Sequence, residues 1–357
     1  MWSAFLGTSA YALAAVDHSV FVVDLNGSVH GLDPRTGASK WKPAKLFFIG
    51  GETPFTVVGD TAYGADEDRD FLAVDTSNGA VRWKSRYPDP EAVITSVAGT
   101  AGPLVFSTGE VFDQSGGTGR GKVWGVDTSA HRVAWTLDDV GARLAVVASE
   151  PAGVVVTADE VAFQLTAYSL KDRSVVWRKS ARDTGRTDAR AWSTACVTVA
   201  GNTFYWAEDQ LYALDAATGD VHWAVGASEP NDRFQSVIVL PEQGPGGTGL
   251  VVATSTGPNG GALHAFASAN GAAVWTAHGG PRFGVKTALA AGTGGSAGVL
   301  YAAEPDNGSV FAVDAKTGQT RWTYHDADIS ADRTWAIAAD EQRVYVAYAE
   351  TALAFKP

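Results

Sequence analysis

A tryptophan recurs at positions 41, 83, 135, 177, 223, 275 and 322, and each one closes the same short pattern. The order is apolar, any, small, apolar, Asp, two residues, Thr or Asn, Gly, three residues, Trp. Leu211–Trp223 (LYALDAATGDVHW) and Val310–Trp322 (VFAVDAKTGQTRW) are the cleanest copies, with Val29–Trp41 and Phe71–Trp83 close behind. Weaker copies run Val123–Trp135, with His131 at the Gly position, and Leu165–Trp177, with Ser169 for Asp and Arg173 for Gly. Leu263–Trp275 keeps Asn270 and Gly271 but has Ala267 for Asp. Intervals of 42 to 52 residues with strand-like patterning define a four-stranded propeller blade.

Each position has a local reason. The segment before Asp alternates as a half-buried strand does. The Asp carboxylate can accept backbone N–H groups of the turn that follows, and Gly supplies positive φ for a tight hairpin. The returning strand then places Trp between blades. Burying such a ring removes on the order of 150–250 Å² from water, worth roughly 4–6 kcal/mol as an upper bound. Two more apolar runs precede each motif, such as Thr194–Ala200 with Thr203–Ala207, and Thr287–Ala291 with Val299–Ala303.

The two ends complete the count. Trp335–Ala339, Arg343–Ala349 and Thr351–Phe355 read as three strands of a further unit, and Met1–Phe5 reads as a lone fourth strand carrying its own Trp. Pairing them closes the ring and removes its free edges. The expectation is an all-β, eight-bladed β-propeller of four-stranded antiparallel blades forming a single domain over 1–357, its last blade closed by the N-terminal strand.

These motifs resemble the tryptophan-docking repeat of PQQ-like (quinoprotein-type) β-propellers, and the resemblance runs along essentially the whole chain. That family includes quinoprotein dehydrogenases, BamB-like assembly scaffolds of the outer membrane and sensor modules of bacterial Ser/Thr kinases. Membership therefore leaves function open. The dehydrogenase branch implies an adjacent-cysteine disulfide against the cofactor and a calcium site beside a catalytic Asp, whereas Cys196 is the sole cysteine. No insertion large enough to cap the ring is present, and no kinase motif is found. The abrupt ends read as those of a domain belonging to a longer bacterial signalling polypeptide.

Composition narrows the partners. A net charge of -12 repels nucleic acid, and the densest basic run, Arg178–Arg190, is interrupted by Asp183 and Asp188. No run of 18 apolar residues spans a membrane, and Met1–Leu6 lacks the features of a signal peptide. A chain with one cysteine suits either side of a bacterial membrane: extracytoplasmic if anchored through a segment outside these residues, cytoplasmic otherwise. Cys196, within an apolar run, reads as a small buried hydrophobe.

The chemistry to be expected lies at the channel mouth. Several innermost strands begin with Arg, often followed by an aromatic: Arg143, Arg190 with Trp192, Arg233 with Phe234, Arg282 with Phe283, and Arg333 with Trp335. Converging on one axis, they would hold a small anionic or aromatic ligand. The competing reading is a set of cross-strand ion pairs, Arg143–Glu160, Arg190–Glu208, Arg282–Glu304 and Arg333–Glu350, modest in energy when exposed. Arg233 is the exception, with Ser255 expected opposite. The acidic turn Asp66, Glu67, Asp68 and Asp70 lacks the glycine of an EF-hand loop, no histidines stand at zinc spacing, and Gly116–Gly121 reads as a loop. No catalytic residue, metal or cofactor is expected; PQQ is the cofactor that the resemblance would imply. The reading is a ligand- or protein-binding sensor propeller. The alternatives are a PQQ-dependent dehydrogenase and a BamB-like scaffold.

Overall fold

The computed structural model describes the chain apart from residues 17, 50–52, 112–119, 139, 142–143, 160–163, 181–195, 227–232, 242–248, 258–259, 278–286, 295–296, 305–307 and 327–334. Its strands form eight four-stranded antiparallel sheets, each a blade. From the first blade onward the innermost strands are Ala10–Val16, Phe55–Val58, Ala92–Ala101, Leu144–Ser149, Val197–Ala200, Arg233–Leu240, Ala288–Ala291 and Trp335–Ala339. These pack side by side around the axis. The outermost are Ala44–Lys45, Val81–Arg86, Arg132–Asp138, Val175–Ser180, Val221–Gly226, Ala273–Ala277, Thr320–His325 and Trp2–Phe5. In the eighth blade the order is Trp2–Phe5, Thr351–Phe355, Val344–Tyr348, Trp335–Ala339, with Trp2 opposite Ala354. The two ends of the chain therefore close the ring, as the repeat count requires.

The geometry accounts for every position of the repeat. The small residue stands directly opposite the tryptophan: Ala73 faces Trp83, Gly125 faces Trp135, Ala167 faces Trp177, Ala213 faces Trp223, Ala265 faces Trp275 and Ala312 faces Trp322. A register shift follows in each of these blades, where the outer strand carries one extra residue. Such a bulge bends the strand and re-aims the ring towards the neighbouring blade. The motif carboxylate then pins the turn. Asp215 Oδ1 accepts Ala217 N at 2.8 Å and Thr218 N at 2.9 Å. Asp314 and Asp33 make the corresponding pairs with Lys316 and Thr317, and with Arg35 and Thr36.

The tryptophan docks on the glycine turn of the following blade. A Cβ on Gly219 would stand 2.8 Å from the Trp177 ring; on Gly271, 2.8 Å from Trp223; on Gly318, 2.7 Å from Trp275. Gly37 of the first blade receives Trp2 of the eighth in the same way, which carries the series across the closure. The indole N–H completes the joint by donating to the carbonyl after the motif Asp position: Trp2 to Pro34 (3.0 Å), Trp135 to Leu170 (3.1 Å), Trp177 to Ala216 (2.9 Å), Trp223 to Ser268 (2.9 Å) and Trp275 to Ala315 (2.8 Å). Where the sequence departs from glycine, the backbone does not: His131 and Arg173 hold φ of 55° and 66°. His131 offsets the strain by stacking on Trp83, centroids 4.6 Å apart and planes 17° from parallel.

The first blade is the exception. Pro43, two residues after Trp41, has no N–H for a ladder, and the outer strand shrinks to Ala44–Lys45. The chain then turns inward, burying Phe47 against Phe21 and Phe55. The motif strands of the eighth blade also differ: Trp322 packs on Phe355 (5.5 Å), and its buried Nε1 has no hydrogen-bond partner among the described residues.

Two outcomes are expected. Gly219→Ala forces a side chain into a +74° backbone and against Trp177, and should lower stability by about 1–3 kcal/mol in urea unfolding followed by tryptophan fluorescence. For Asp75, burial raises the carboxyl, but hydrogen bonds from Ser77 and Arg82 outweigh it and hold the group at about 2 instead of 3.8. Its contribution is thus present above pH 3.8 and lost as pH falls towards about 2. Asp75→Asn should reduce the loss of unfolding midpoint between pH 5 and pH 2.

Candidate binding site at the channel mouth

Three of the residues expected to form the mouth, Arg233, Phe234 and Trp335, lie within the described part, and they differ in character. Arg233 is the first residue of the sixth innermost strand and is half-buried. Its cross-strand partner is Thr256, while Ser255 faces Phe234. The sequence reading, which put Ser255 opposite Arg233, is therefore off by one residue. Phe234 is buried, and its N–H donates to Glu208 O of the fifth blade at 2.9 Å. Its ring lies edge-on to His264 (5.4 Å, 81°) and Phe266 (5.9 Å, 80°). The backbone directly after Arg233 is consequently fixed to both the fifth and sixth blades.

A polar layer supports this strand. Ser255 Oγ and His264 Nε2 are 2.8 Å apart, and His264 Nδ1 lies 3.3 Å from Thr276 Oγ1. Ser236 N donates to Thr254 Oγ1 (3.1 Å), and Ser236 Oγ donates to Thr287 O (3.0 Å), tying the sixth blade to the seventh. The Gln235 amide donates to Thr256 Oγ1 at 3.2 Å. These groups are satisfied by one another, as buried polar groups must be. The repeat leaves these positions variable: the first blade also has a histidine, His30, where the sixth has His264, and the seventh has Glu304 where the sixth has Ser255.

Trp335, expected as an aromatic wall, is 3% exposed. It stacks flat on Tyr348, centroids 4.2 Å apart and planes 12° from parallel, within the core between the seventh and eighth blades. The Tyr348 hydroxyl donates to Asp326 Oδ2 at 2.7 Å, and burial, with that carboxylate beside it, pushes the phenol up from its ordinary value. Arg143, Arg190, Arg282, Arg333, Trp192, Phe283 and Glu160 lie outside the described residues. Three of the four supposed acids are placed, however. Glu304 is fully buried, and its Oε2 accepts the Thr287 hydroxyl at 2.6 Å. Glu208 is buried just beyond the end of its strand, and Glu350 is exposed in the turn between Val344–Tyr348 and Thr351–Phe355.

The third blade carries a charged group, on its outer two strands, that sequence reasoning missed. Asp89 accepts Lys122 Nζ at 2.6 Å and Trp124 Nε1 at 3.0 Å, and Lys122 also reaches Asp138 at 2.9 Å. Burial lowers the Lys122 ammonium, but the two carboxylates outweigh it and raise the group. Three of the four acids of the second blade's turn are ion-paired: Lys84 pairs with Asp66 (2.8 Å), Lys45 of the first blade with Glu67 (2.7 Å) and Arg86 with Asp70 (2.7 Å). Among the described residues no group of three or more His, Cys, Asp or Glu is arranged to hold a metal ion, and no helix is long and apolar enough to cross a membrane. Cys196 is buried in the largest apolar cluster.

This architecture has relatives. A family model described as outer membrane protein assembly factor BamB matches residues 25–188, 163–233 and 259–355. The chain belongs to that family of PQQ-like propellers, which is related to BamB and to the quinoprotein dehydrogenases. Among solved structures, the computationally designed Ika8 protein is similar with a TM-score of 0.73 at 14% identity, over 99% of both chains. BamB from Moraxella catarrhalis is similar with a TM-score of 0.59 at 17% identity, over 97% of this chain and 93% of that one. Quinohemoprotein alcohol dehydrogenase from Comamonas testosteroni gives 0.64 at 13% identity, over 99% and 76%. At these identities the likeness is one of fold. No curated protein matches the sequence.

Removing the hydroxyl that serves Glu304 should be costly. Thr287→Val leaves a fully buried carboxyl one donor short, with an expected loss of about 1–3 kcal/mol in urea unfolding. Thr287→Ser should restore most of it.

Proposed function

We propose that this propeller is a non-catalytic recognition module of the sensor type, taking a small anionic or aromatic ligand at the channel mouth. The observation that carries the reading is Arg233: a half-buried guanidinium on an innermost strand, beside an aromatic residue whose own backbone is tied to the neighbouring blade. A planar guanidinium on such a backbone is suited to a carboxylate or phosphate, since its fork is pre-organised and less freedom is lost per hydrogen bond formed. The strong repeat residues support the reading by default. Asp, Gly and Trp of each copy are engaged in holding blades together, so ligand chemistry falls to the residues around the mouth. A second reading, a scaffold for protein partners, is favoured by the family match to the BamB description.

Calorimetric titration with PQQ, an aromatic tricarboxylate, tests the proposal. Expected is saturable binding independent of calcium, weakened about tenfold by Arg233→Ala, with no dye reduction in the presence of alcohols or sugars. Calcium-dependent binding with dye reduction would instead make the chain a quinoprotein dehydrogenase. No heat under either condition would remove the anion site and leave the scaffold reading.

A further inference from the structure

The outermost strands of a propeller present the open backbone edges of its sheets, and proteins guard such edges with charge, proline or brevity. Five blades here do so. The second carries Arg82, Lys84 and Arg86, the third Arg132 and Asp138, the fourth Arg178 and Lys179, and the seventh Arg321. The first has Pro43 and a two-residue strand. Three blades are unguarded: the eighth, whose outer strand Trp2–Phe5 carries no charge, and two that are adjacent. Val221–Gly226 (VHWAVG) of the fifth and Ala273–Ala277 (AVWTA) of the sixth contain no Lys, Arg, Asp or Glu. Val221 is 48% exposed, and His222, Ala224 and Gly226 are exposed as well. Each of these strands pairs with one described strand and ends its sheet.

We propose that the rim of the fifth blade is a second binding surface, separate from the mouth, where Val221–Gly226 accepts an extended segment of a partner protein as a fifth strand. An open edge of N–H and C=O groups selects for an extended backbone. The small exposed side chains of Ala224 and Gly226 let that backbone approach. Charge selects the occupant. Asp220 immediately precedes the strand and is exposed, and Asp215 lies at the same turn, so an extended segment with lysine or arginine at the end that meets this turn is complementary. A second copy is disfavoured, because each chain brings a net charge of -12.

The probe is a fluorescein-labelled octapeptide of alternating threonine and valine with a lysine at each end, titrated into the full chain by fluorescence anisotropy. Expected is saturable one-to-one binding, weakened at least about tenfold by Ala224→Lys and by Val221→Lys, which place a charge on the edge. Both variants should keep the native thermal midpoint, since both positions are exposed. Arg233→Ala should leave the affinity unchanged, which separates this surface from the mouth. The proposal is overturned if the native chain does not bind, if both lysine variants bind as well as the native chain, or if sedimentation shows a dimer that Ala224→Lys abolishes, which would assign the edge to a second copy.

Discussion

Everything in this ring hangs on one joint, the indole that leaves its own blade and lands on the next. A four-stranded blade buries too little on its own to be stable. What it lacks is supplied sideways, by a flat apolar ring pressed on a glycine turn with its N–H fixed to a carbonyl beneath. Three conditions meet at that contact. The sheet must bulge to aim the ring, a small residue must stand opposite it, and the receiving turn must leave its Cβ position empty. The repeat is the written form of these conditions. Its spacing is the distance from one joint to the next.

The joint also divides labour within the chain. Apolar and aromatic residues of the repeat are consumed by cohesion between blades, and the acids at its turns by backbone N–H groups. Arg82, held between Asp60 and Asp75, shows how surface charge is spent on the rim as well. Chemistry is left to residues that do not repeat: the hydroxyl and imidazole layer behind Arg233, the Thr287–Glu304 pair and the Asp89–Lys122–Trp124 group. Blades share a scaffold but not a site, and any ligand that recognises this molecule must read what differs between them.

This division explains what the sequence disclosed. The blade number, the four-strand unit and the closure by Trp2–Phe5 were legible because identical contacts recur, so each copy corroborates the others. Even the failures of the motif were informative once built, since His131 and Arg173 take the glycine conformation without being glycine. The mouth was far less legible. Placing Ser255 opposite Arg233 failed because register near a bulge cannot be counted from strand starts, and the Phe234–Val237 stretch contains a register shift. Trp335 read as a wall because an aromatic after Arg carries no sign of which way it faces; Tyr348, thirteen residues on, decides it by stacking. The hydroxyl that serves Glu304 was invisible for a similar reason: Thr287 reads as an ordinary strand residue until the two strands are paired.

The closure of the eighth blade has a consequence for how the chain comes to be folded. Trp2 pairs with Ala354 and docks against the turn that holds Gly37. During synthesis from the N-terminus, the first strand emerges long before its partner exists, and must wait without a sheet until the last one is made. Bringing such distant segments together carries an entropic cost that only the finished ring returns. Until then the seven other blades can stack one on another as each is completed, but the first and last remain open to each other and to strangers. The same strand that completes the last blade at the end of folding is therefore the segment most in need of protection at its beginning.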